Sequence, residues 1–231
     1  MDRQGKREIP GISPEIKNLS TFFFDLDGTL IDSSKDIAVA VNYALRCLGM
    51  EELPESEIIK HVGYGGRRLM EGVLGTDREE IIEKAVGLFR EYYFANPAVY
   101  TELFPHAREL LEKLKDRNKK VAIITNKYED ISRQIIKKLG IDHLVDLLVG
   151  GDTTPYKKPQ PEPLLHALDR LESTEKEAIM IGDSEADIKA GRSAGLKTVF
   201  VEFGFGDREK SLEENPDYII SSFKQILDII D

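Results

Sequence analysis

Near its N-terminal end the chain carries the segment Thr21-Phe22-Phe23-Phe24-Asp25-Leu26-Asp27-Gly28-Thr29-Leu30-Ile31-Asp32-Ser33. Its three consecutive phenylalanines form an apolar run that predicts a strand buried on both faces of a parallel sheet. The run stops at two carboxylates and a glycine, and Gly28 permits a sharp turn there. Since ligands bind at the carboxyl ends of the strands in an open α/β sheet, we expect Asp25 and Asp27 to stand at the mouth of a site.

The rest of the chain alternates between apolar runs and segments with helical spacing. Five later runs predict strands, at residues 121–125, 147–149, 178–181, 198–201 and 218–220. Helical patterns between them indicate an α/β fold with a doubly wound parallel sheet, like a Rossmann fold. Between Ile31 and Pro105 the sequence predicts helices and no strand, beginning with a helix capped by Ser33 or Ser34. We therefore predict a core domain at 18–31 and 105–231, an inserted helical cap domain at 32–104 and a loosely packed N-terminal extension at 1–17.

Composition limits the class of protein. The 231 residues are 41% hydrophobic and 32% charged, as in an ordinary folded domain. A net charge of −10 argues against nucleic acid or an anionic membrane as a partner, and no apolar run is long enough for a membrane helix. The single cysteine, Cys47, cannot form an internal disulfide, so we expect a reducing compartment and a cytoplasmic location.

Polar residues follow three of the predicted strands: Asp25-Leu26-Asp27, Thr125-Asn126-Lys127 and Gly182-Asp183-Ser184. If the strands are parallel, these three groups gather at one edge of the sheet. The carboxylates of Asp25 and Asp183 would repel each other there unless a cation were bound, and hard oxygen ligands suit Mg²⁺. A hydroxyl, an amide and a lysine beside them suit phosphate oxygens. The pattern therefore indicates phosphoryl chemistry.

In the order of its motifs the chain resembles the phosphatases of the haloacid dehalogenase superfamily: Asp25-x-Asp27-Gly28-Thr29, Thr125-Asn126, Lys158 and Gly182-Asp183-Ser184-x-x-Asp187. These motifs span nearly the whole chain, and the predicted insertion is similar to the helical cap of that superfamily. Within that superfamily the chain looks most like the phosphoglycolate phosphatases. This finer resemblance rests on segments such as Lys158-Pro159-x-Pro161-x-Pro163. The resemblance implies hydrolysis of 2-phosphoglycolate, with Mg²⁺ as cofactor and a small phosphorylated metabolite as partner.

The resemblance also implies a role for each carboxylate that matches. Asp25 would attack phosphorus and become an aspartyl phosphate, which splits one difficult displacement into two easier ones. Asp27 would donate a proton to the leaving alcohol and later take one from water. Mg²⁺ would be bound by Asp25, the backbone carbonyl of Asp27, Asp183 and a phosphate oxygen, with Asp187 supporting Asp183 or an ordered water.

The phosphate-binding groups follow from the same resemblance. Thr125 and the backbone of Asn126 would donate hydrogen bonds to phosphate, and Lys158 would neutralise its charge. Lys157 stands next to Lys158 and is an alternative for that role.

Selection of the substrate is expected to depend on the cap. A glycolate leaving group carries a carboxylate, so an arginine or a set of backbone N–H groups is needed to bind it. Arg67 and Arg68 follow the glycine-rich segment 63–66 and are the candidates, the alternative being that both are solvated surface residues. We also expect the cap to open and close about linkers near 31–34 and 103–105, because the site must admit substrate and then exclude water.

Other functions stay open at this stage. Another small-metabolite phosphatase or a β-phosphoglucomutase-like mutase would share the core motifs, since these bind the phosphoryl group and not the leaving group. A phospho-accepting receiver domain also gathers Asp, Mg²⁺, Thr and Lys at a sheet edge. Asp27, as a second carboxylate for proton transfer, and the helical insertion favour an enzyme.

Overall fold

The computed structural model of this chain describes residues 13–230. The strands in this range are β1 (Thr21–Phe24), β2 (Ile31–Asp32), β3 (Glu102–Leu103), β4 (Lys120–Ile124), β5 (Leu147–Val149), β6 (Ala178–Gly182), β7 (Lys197–Val201) and β8 (Tyr218–Ile220). The α-helices are α1 (Ser34–Cys47), α2 (Glu55–Ile58), α3 (Gly66–Leu74), α4 (Glu79–Ala95), α5 (Ala107–Asp116), α6 (Glu129–Lys138), α7 (Glu162–Arg170), α8 (Glu185–Ser193), α9 (Arg208–Glu213) and α10 (Lys224–Ile230). Short 3₁₀ helices lie at Pro14–Asn18, Ile59–His61, Asp142–Leu144 and Glu175–Glu177.

Six strands form one parallel sheet in the order β5-β4-β1-β6-β7-β8, which confirms the predicted doubly wound fold. The first strand, β1, lies in the interior between β4 and β6. Phe24 is in register with Ile123 of β4 and Ile181 of β6. The polar residues that follow these three strands therefore meet at one edge of the sheet, at the point where the strand order reverses.

The three phenylalanines of β1 explain why its sequence is apolar without alternation. Phe22 and Phe24 pack into the cluster that includes α5, α6 and α10, whereas Phe23 packs on the opposite face with α7 and α8. All three side chains are fully buried. Since burial of one such side chain is worth about 1.5–3 kcal/mol, this strand contributes strongly to holding both helical layers on the sheet.

The insertion after β1 consists of α1 to α4, and it is bounded by two short strands. β2 and β3 pair antiparallel, with Ile31 opposite Leu103. The prediction of no strand between Ile31 and Pro105 is therefore wrong, because two-residue strands are too short to leave an alternating pattern. Asp36 in α1 also connects the beginning of the insertion with its end: its Oδ2 atom accepts hydrogen bonds from the backbone N–H groups of Tyr100 (2.9 Å) and Thr101 (2.8 Å). The cap boundaries and the motion of the cap stay predictions.

The described part of the predicted N-terminal extension is packed and not loose. Ile16, in the first 3₁₀ helix, is 2% exposed and belongs to the main apolar cluster. Residues 1–12 of that prediction lie outside the described residues. No helix within residues 13–230 combines the length and the apolar character that crossing a membrane requires.

Candidate active site

A cavity of about 50 Å³ lies between the carboxyl edge of the sheet and the helices of the insertion. Four of the predicted site residues line it: Asp25, Asp27, Thr125 and Asn126. The remaining wall is mostly apolar or glycine, and its residues are Ile37, Val62, Gly63, Gly65, Gly66, Leu69, Phe89, Tyr93, Lys127, Tyr128 and Ile131. Groups that bear charge therefore stand on the sheet side, and apolar surface faces them from the cap.

The carboxylate of Asp25 is buried and forms an ion pair with Lys158. The Nζ atom of Lys158 lies 2.7 Å from Oδ1 of Asp25. Burial raises the pKa of Asp25 to about 8 against the opposing effect of the Lys158 ammonium, and the nearby carboxylates of Asp187 and Asp183 add to the rise. A carboxylate in these surroundings requires positive charge beside it to stay ionised.

Lys158 is 3% exposed and uses its three N–H donors on three acceptors. Besides Asp25, these are Oδ1 of Asp187 at 2.6 Å and the backbone oxygen of Ile124 at 2.5 Å. Burial by itself would lower the pKa of Lys158, but the two carboxylates more than offset that effect and raise it. Lys157 takes a different position, with its ammonium 5.8 Å from the ring centroid of Tyr128. The structure thus brings Lys158, and not Lys157, to Asp25.

The side chain of Asn126 positions Lys158 through the backbone. Its Nδ2 atom donates to the Lys158 carbonyl at 2.8 Å, and its Oδ1 atom accepts from the Lys158 N–H at 3.0 Å. The same amide donates to the Gly63 carbonyl of the cap at 2.8 Å. Asn126 therefore connects the end of β4 with the Lys158 loop and with the cap. The sequence predicted phosphate binding for Asn126 but not this structural role.

Asp183 is held by donors from two other loops. Its Oδ1 atom accepts from the Thr29 hydroxyl at 3.1 Å, and its Oδ2 atom accepts from the backbone N–H groups of Phe205 (2.7 Å) and Gly206 (3.0 Å). Burial, together with the Asp187 carboxylate, raises the pKa of Asp183 to about 7 against these hydrogen bonds. The segment Gly204-Phe205-Gly206 is not among the predicted site residues, although its two glycines are a signal for a close backbone approach.

Asp187 completes a cluster of buried carboxylates. Its Oδ2 atom accepts from the backbone N–H (3.1 Å) and the hydroxyl (2.6 Å) of Ser184, which caps α8. Ligand oxygens of Asp25, Asp183 and Asp187 all lie within 4.8 Å of one another. Three crowded carboxylates with one lysine between them form a donor set of hard oxygens with excess negative charge, which fits a divalent cation such as Mg²⁺.

The side chain of Asp27 is held by two donors. Lys127 Nζ lies 3.0 Å from its Oδ1 atom and 2.9 Å from its Oδ2 atom, and the Ser33 hydroxyl donates to Oδ1 at 2.5 Å. Ser33 is the N-cap residue of α1, one of the two predicted positions, but its side chain makes no capping hydrogen bond. The hydroxyl instead donates a charge-assisted hydrogen bond to the Asp27 carboxylate.

Lys127 belongs to the polar group Thr125-Asn126-Lys127 that follows β4, but it is not among the predicted site residues. Its side chain is 8% exposed, and its ammonium lies over the ring of Tyr93, 4.2 Å from the centroid. Burial would lower the pKa of Lys127, yet the Asp27 carboxylate and Tyr93 raise it overall. Thr125 stands two residues before Lys127, lines the cavity, and its hydroxyl oxygen accepts from the Lys127 N–H at 3.2 Å.

Arg67 and Arg68 do not line the cavity. The guanidinium of Arg67 forms ion pairs with Glu71 at 2.9 Å, with Glu79 at 2.7 Å and with Glu83. The side chain of Arg68 is 74% exposed and pairs with Glu71. Both arginines follow the glycines in sequence, but α3 directs them along the outer face of the cap, where acidic residues of α3 and α4 bind them.

Comparison with known proteins assigns the family. Residues 22–201 match the family described as haloacid dehalogenase-like hydrolase, a range that includes every core motif and the whole insertion. The chain therefore belongs to the haloacid dehalogenase-like hydrolases, which confirms the resemblance inferred from the motifs.

Individual relatives are similar over nearly their full length. A phosphoglycolate phosphatase of Aquifex aeolicus is 39% identical over 213 residues, which cover 92% of this chain and 97% of that protein. A phosphoglycolate phosphatase of Neisseria meningitidis is 37% identical and covers 91% of this chain and 93% of that protein. A crystal structure from Haemophilus somnus, described as a predicted phosphoglycolate phosphatase, has a TM-score of 0.87 at 29% identity and covers 96% of this chain and 100% of that chain.

Proposed function

We propose that this chain is a Mg²⁺-dependent phosphatase that hydrolyses 2-phosphoglycolate to glycolate and phosphate. The observation that carries the proposal is the buried Asp25 carboxylate, which lines a small cavity and pairs with Lys158 at 2.7 Å. A buried carboxylate that lines a cavity, with a fixed ammonium beside it to offset the charge of an approaching phosphoryl group, is suited to covalent attack on phosphorus. The names of the relatives agree with this substrate.

In the proposed reaction, an Asp25 oxygen attacks phosphorus while the bond from phosphorus to the glycolate oxygen breaks. Asp27 gives a proton to that departing oxygen. Water then attacks the aspartyl phosphate, Asp27 takes a proton from it, and phosphate leaves with Asp25 restored. Lys158 neutralises charge at Asp25, and Thr125 donates a hydrogen bond to the phosphoryl group in the cavity.

Mg²⁺ is the proposed cofactor because of the oxygen ligands described above. Asp25, Asp183 and the backbone carbonyl of Asp27 would hold it, with Asp187 holding Lys158 and the start of α8 in place. When bound, such an ion offsets the charge of the carboxylates and of the phosphoryl oxygens. We also propose a cytoplasmic location, which rests on the single cysteine and on the nature of the substrate.

The relatives favour hydrolysis over the β-phosphoglucomutase-like alternative, because both of the named proteins are phosphoglycolate phosphatases that match over more than 90% of their length. Membership of a hydrolase family also argues against a receiver domain. Asp27, as a second carboxylate that lines the cavity beside Asp25, is placed for the proton transfer that hydrolysis needs.

The test is kcat/KM with Mg²⁺ for a panel that contains 2-phosphoglycolate, other small phosphate esters and β-glucose 1-phosphate. We expect the highest value for 2-phosphoglycolate, with release of inorganic phosphate. Isomerisation of the sugar phosphate without phosphate release would establish the mutase instead. Failure to release phosphate from 2-phosphoglycolate, with turnover of another ester, would overturn the proposed substrate.

A further inference from the structure

Lys127 is the one cationic side chain among the described residues that line the cavity. The other lysine of the site, Lys158, has its three donors engaged by Asp25, Asp187 and a backbone carbonyl. Arg67 and Arg68 point away from the cavity toward glutamates. Among the described residues that line the cavity, Lys127 therefore carries the one ammonium that an acidic leaving group could contact.

The surroundings of Lys127 demand an anionic partner. Its ammonium lies 4.2 Å from the ring centroid of Tyr93, and the apolar side chains of Phe89 and Leu69 line the same cavity. The hydroxyl of Tyr93 is buried as well and forms no hydrogen bond with a described protein group. A buried ammonium that lost its counter-charge in such surroundings would be strongly disfavoured. Asp27 supplies the counter-charge in this structure.

We propose that Lys127 recognises the acidic end of the leaving group, and that a substrate carboxylate replaces Asp27 as its ion-pair partner. The inference rests on the proposed function and names the residue that selects the substrate. The exchange keeps the ammonium paired throughout, and it frees the Asp27 side chain when substrate is present. No covalent bond changes in this step.

The dimensions of the substrate agree with this placement. Asp27 must reach the leaving oxygen to transfer a proton, and one methylene group separates that oxygen from the carboxylate in 2-phosphoglycolate. An ammonium that contacts Asp27 at 2.9 Å therefore stands where the substrate carboxylate arrives. The same charge rejects an ester whose leaving group carries an ammonium, because two cations would share one buried site.

The test compares three esters of similar size in the Mg²⁺-loaded enzyme: 2-phosphoglycolate, its neutral amide and phosphoethanolamine. For the unmodified protein we expect kcat/KM for the acid to exceed that for the amide about 30-fold or more, the usual effect of a buried, hydrogen-bonded charge pair. Phosphoethanolamine should be the poorest of the three. In Lys127→Met the ratio of acid to amide should fall close to one, whereas Lys157→Met, which alters a lysine outside the cavity wall, should leave it unchanged.

Equal losses for acid and amide in Lys127→Met would overturn the inference, since they would show that Lys127 only positions Asp27 or serves the phosphoryl group. Rapid turnover of phosphoethanolamine by the unmodified protein would overturn it without any variant. The proposed function fails separately, when the unmodified protein releases no phosphate from 2-phosphoglycolate. The inference alone fails when that activity is present and the acid-to-amide ratio survives the loss of Lys127.

Discussion

The ammonium of Lys158 lies 2.7 Å from the carboxylate of Asp25, although 133 residues separate the two in sequence. Both side chains are buried, so this contact is screened far less than a surface ion pair. The contact also joins two different parts of the core, the end of β1 and the loop that precedes α7. Activity and stability are therefore expected to depend on the same pair of residues.

Replacement of Asp25, the proposed nucleophile, tests the chemical step. Asp25→Asn should lower phosphate release by a factor of about 10³ or more, since an amide cannot form the acyl phosphate. Asp116→Asn alters an exposed carboxylate at the end of α5 and should change the rate by less than about twofold. Both variants are assayed by phosphate release at saturating substrate. Substantial activity in Asp25→Asn would exclude the proposed mechanism.

Removal of the buried ammonium tests the energetics of the ion pair. Lys158→Met should reduce the free energy of unfolding by about 3 kcal/mol at neutral pH, because two carboxylates would be left without their counter-charge. Lys157→Met offers the matched control and should cost less than about 0.5 kcal/mol. Urea denaturation of both variants measures the difference. Equal stability of the two would mean that the Lys158 pair contributes little.

Metal binding should stabilise the fold. Ligand oxygens of Asp25, Asp183 and Asp187 lie within 4.8 Å of one another, and a divalent cation would relieve their repulsion. At a Mg²⁺ concentration of about 100 times Kd, the free energy of unfolding should rise by about 2.7 kcal/mol. Thermal unfolding of chelator-treated protein, with and without added Mg²⁺, measures this. Asp183→Asn should lose most of the rise, and Asp116→Asn, which alters an exposed carboxylate of α5, should retain it. An identical Tm with and without Mg²⁺ would argue against the site.

The loop that holds Asp183 can be tested through a glycine. A Cβ atom at Gly206 would lie 2.0 Å from the backbone oxygen of Asp183, so Gly206→Ala must displace the N–H that binds the carboxylate. We expect Mg²⁺ affinity to fall by about tenfold or more, as when a supporting group is removed from a metal ligand. Gly87→Ala is the control: nothing lies within 4 Å of its added Cβ in α4, and it should stabilise the helix by about 0.5–1 kcal/mol. Unchanged affinity in Gly206→Ala would show that Asp183 does not need this loop.

Much of the fold follows from local patterns. Apolar runs of strand length and helical spacing between them are properties of neighbouring residues, so the six parallel strands and the helical insertion were predictable. The two-residue strands β2 and β3 were not, because their pairing depends on the return of the chain 70 residues later. The packed position of Ile16 was missed for the same reason, since a single apolar residue in a polar segment has no period.

The sequence by itself determined the chemistry: the run of phenylalanines that ends at Asp25 and Asp27, and the order of motifs that places Asp183 and Lys158 at the same edge. In a parallel sheet the segments that follow the strands lie at the same edge, whichever contacts their side chains then make. Only the tertiary structure decided how the charges pair. In the folded chain Asp27 pairs with Lys127 and Ser33, and the backbone N–H groups of Phe205 and Gly206 bind Asp183. Arg67 forms ion pairs with glutamates outside the cavity. Such pairings depend on the direction of each side chain within a packed interior, and no local pattern encodes that direction.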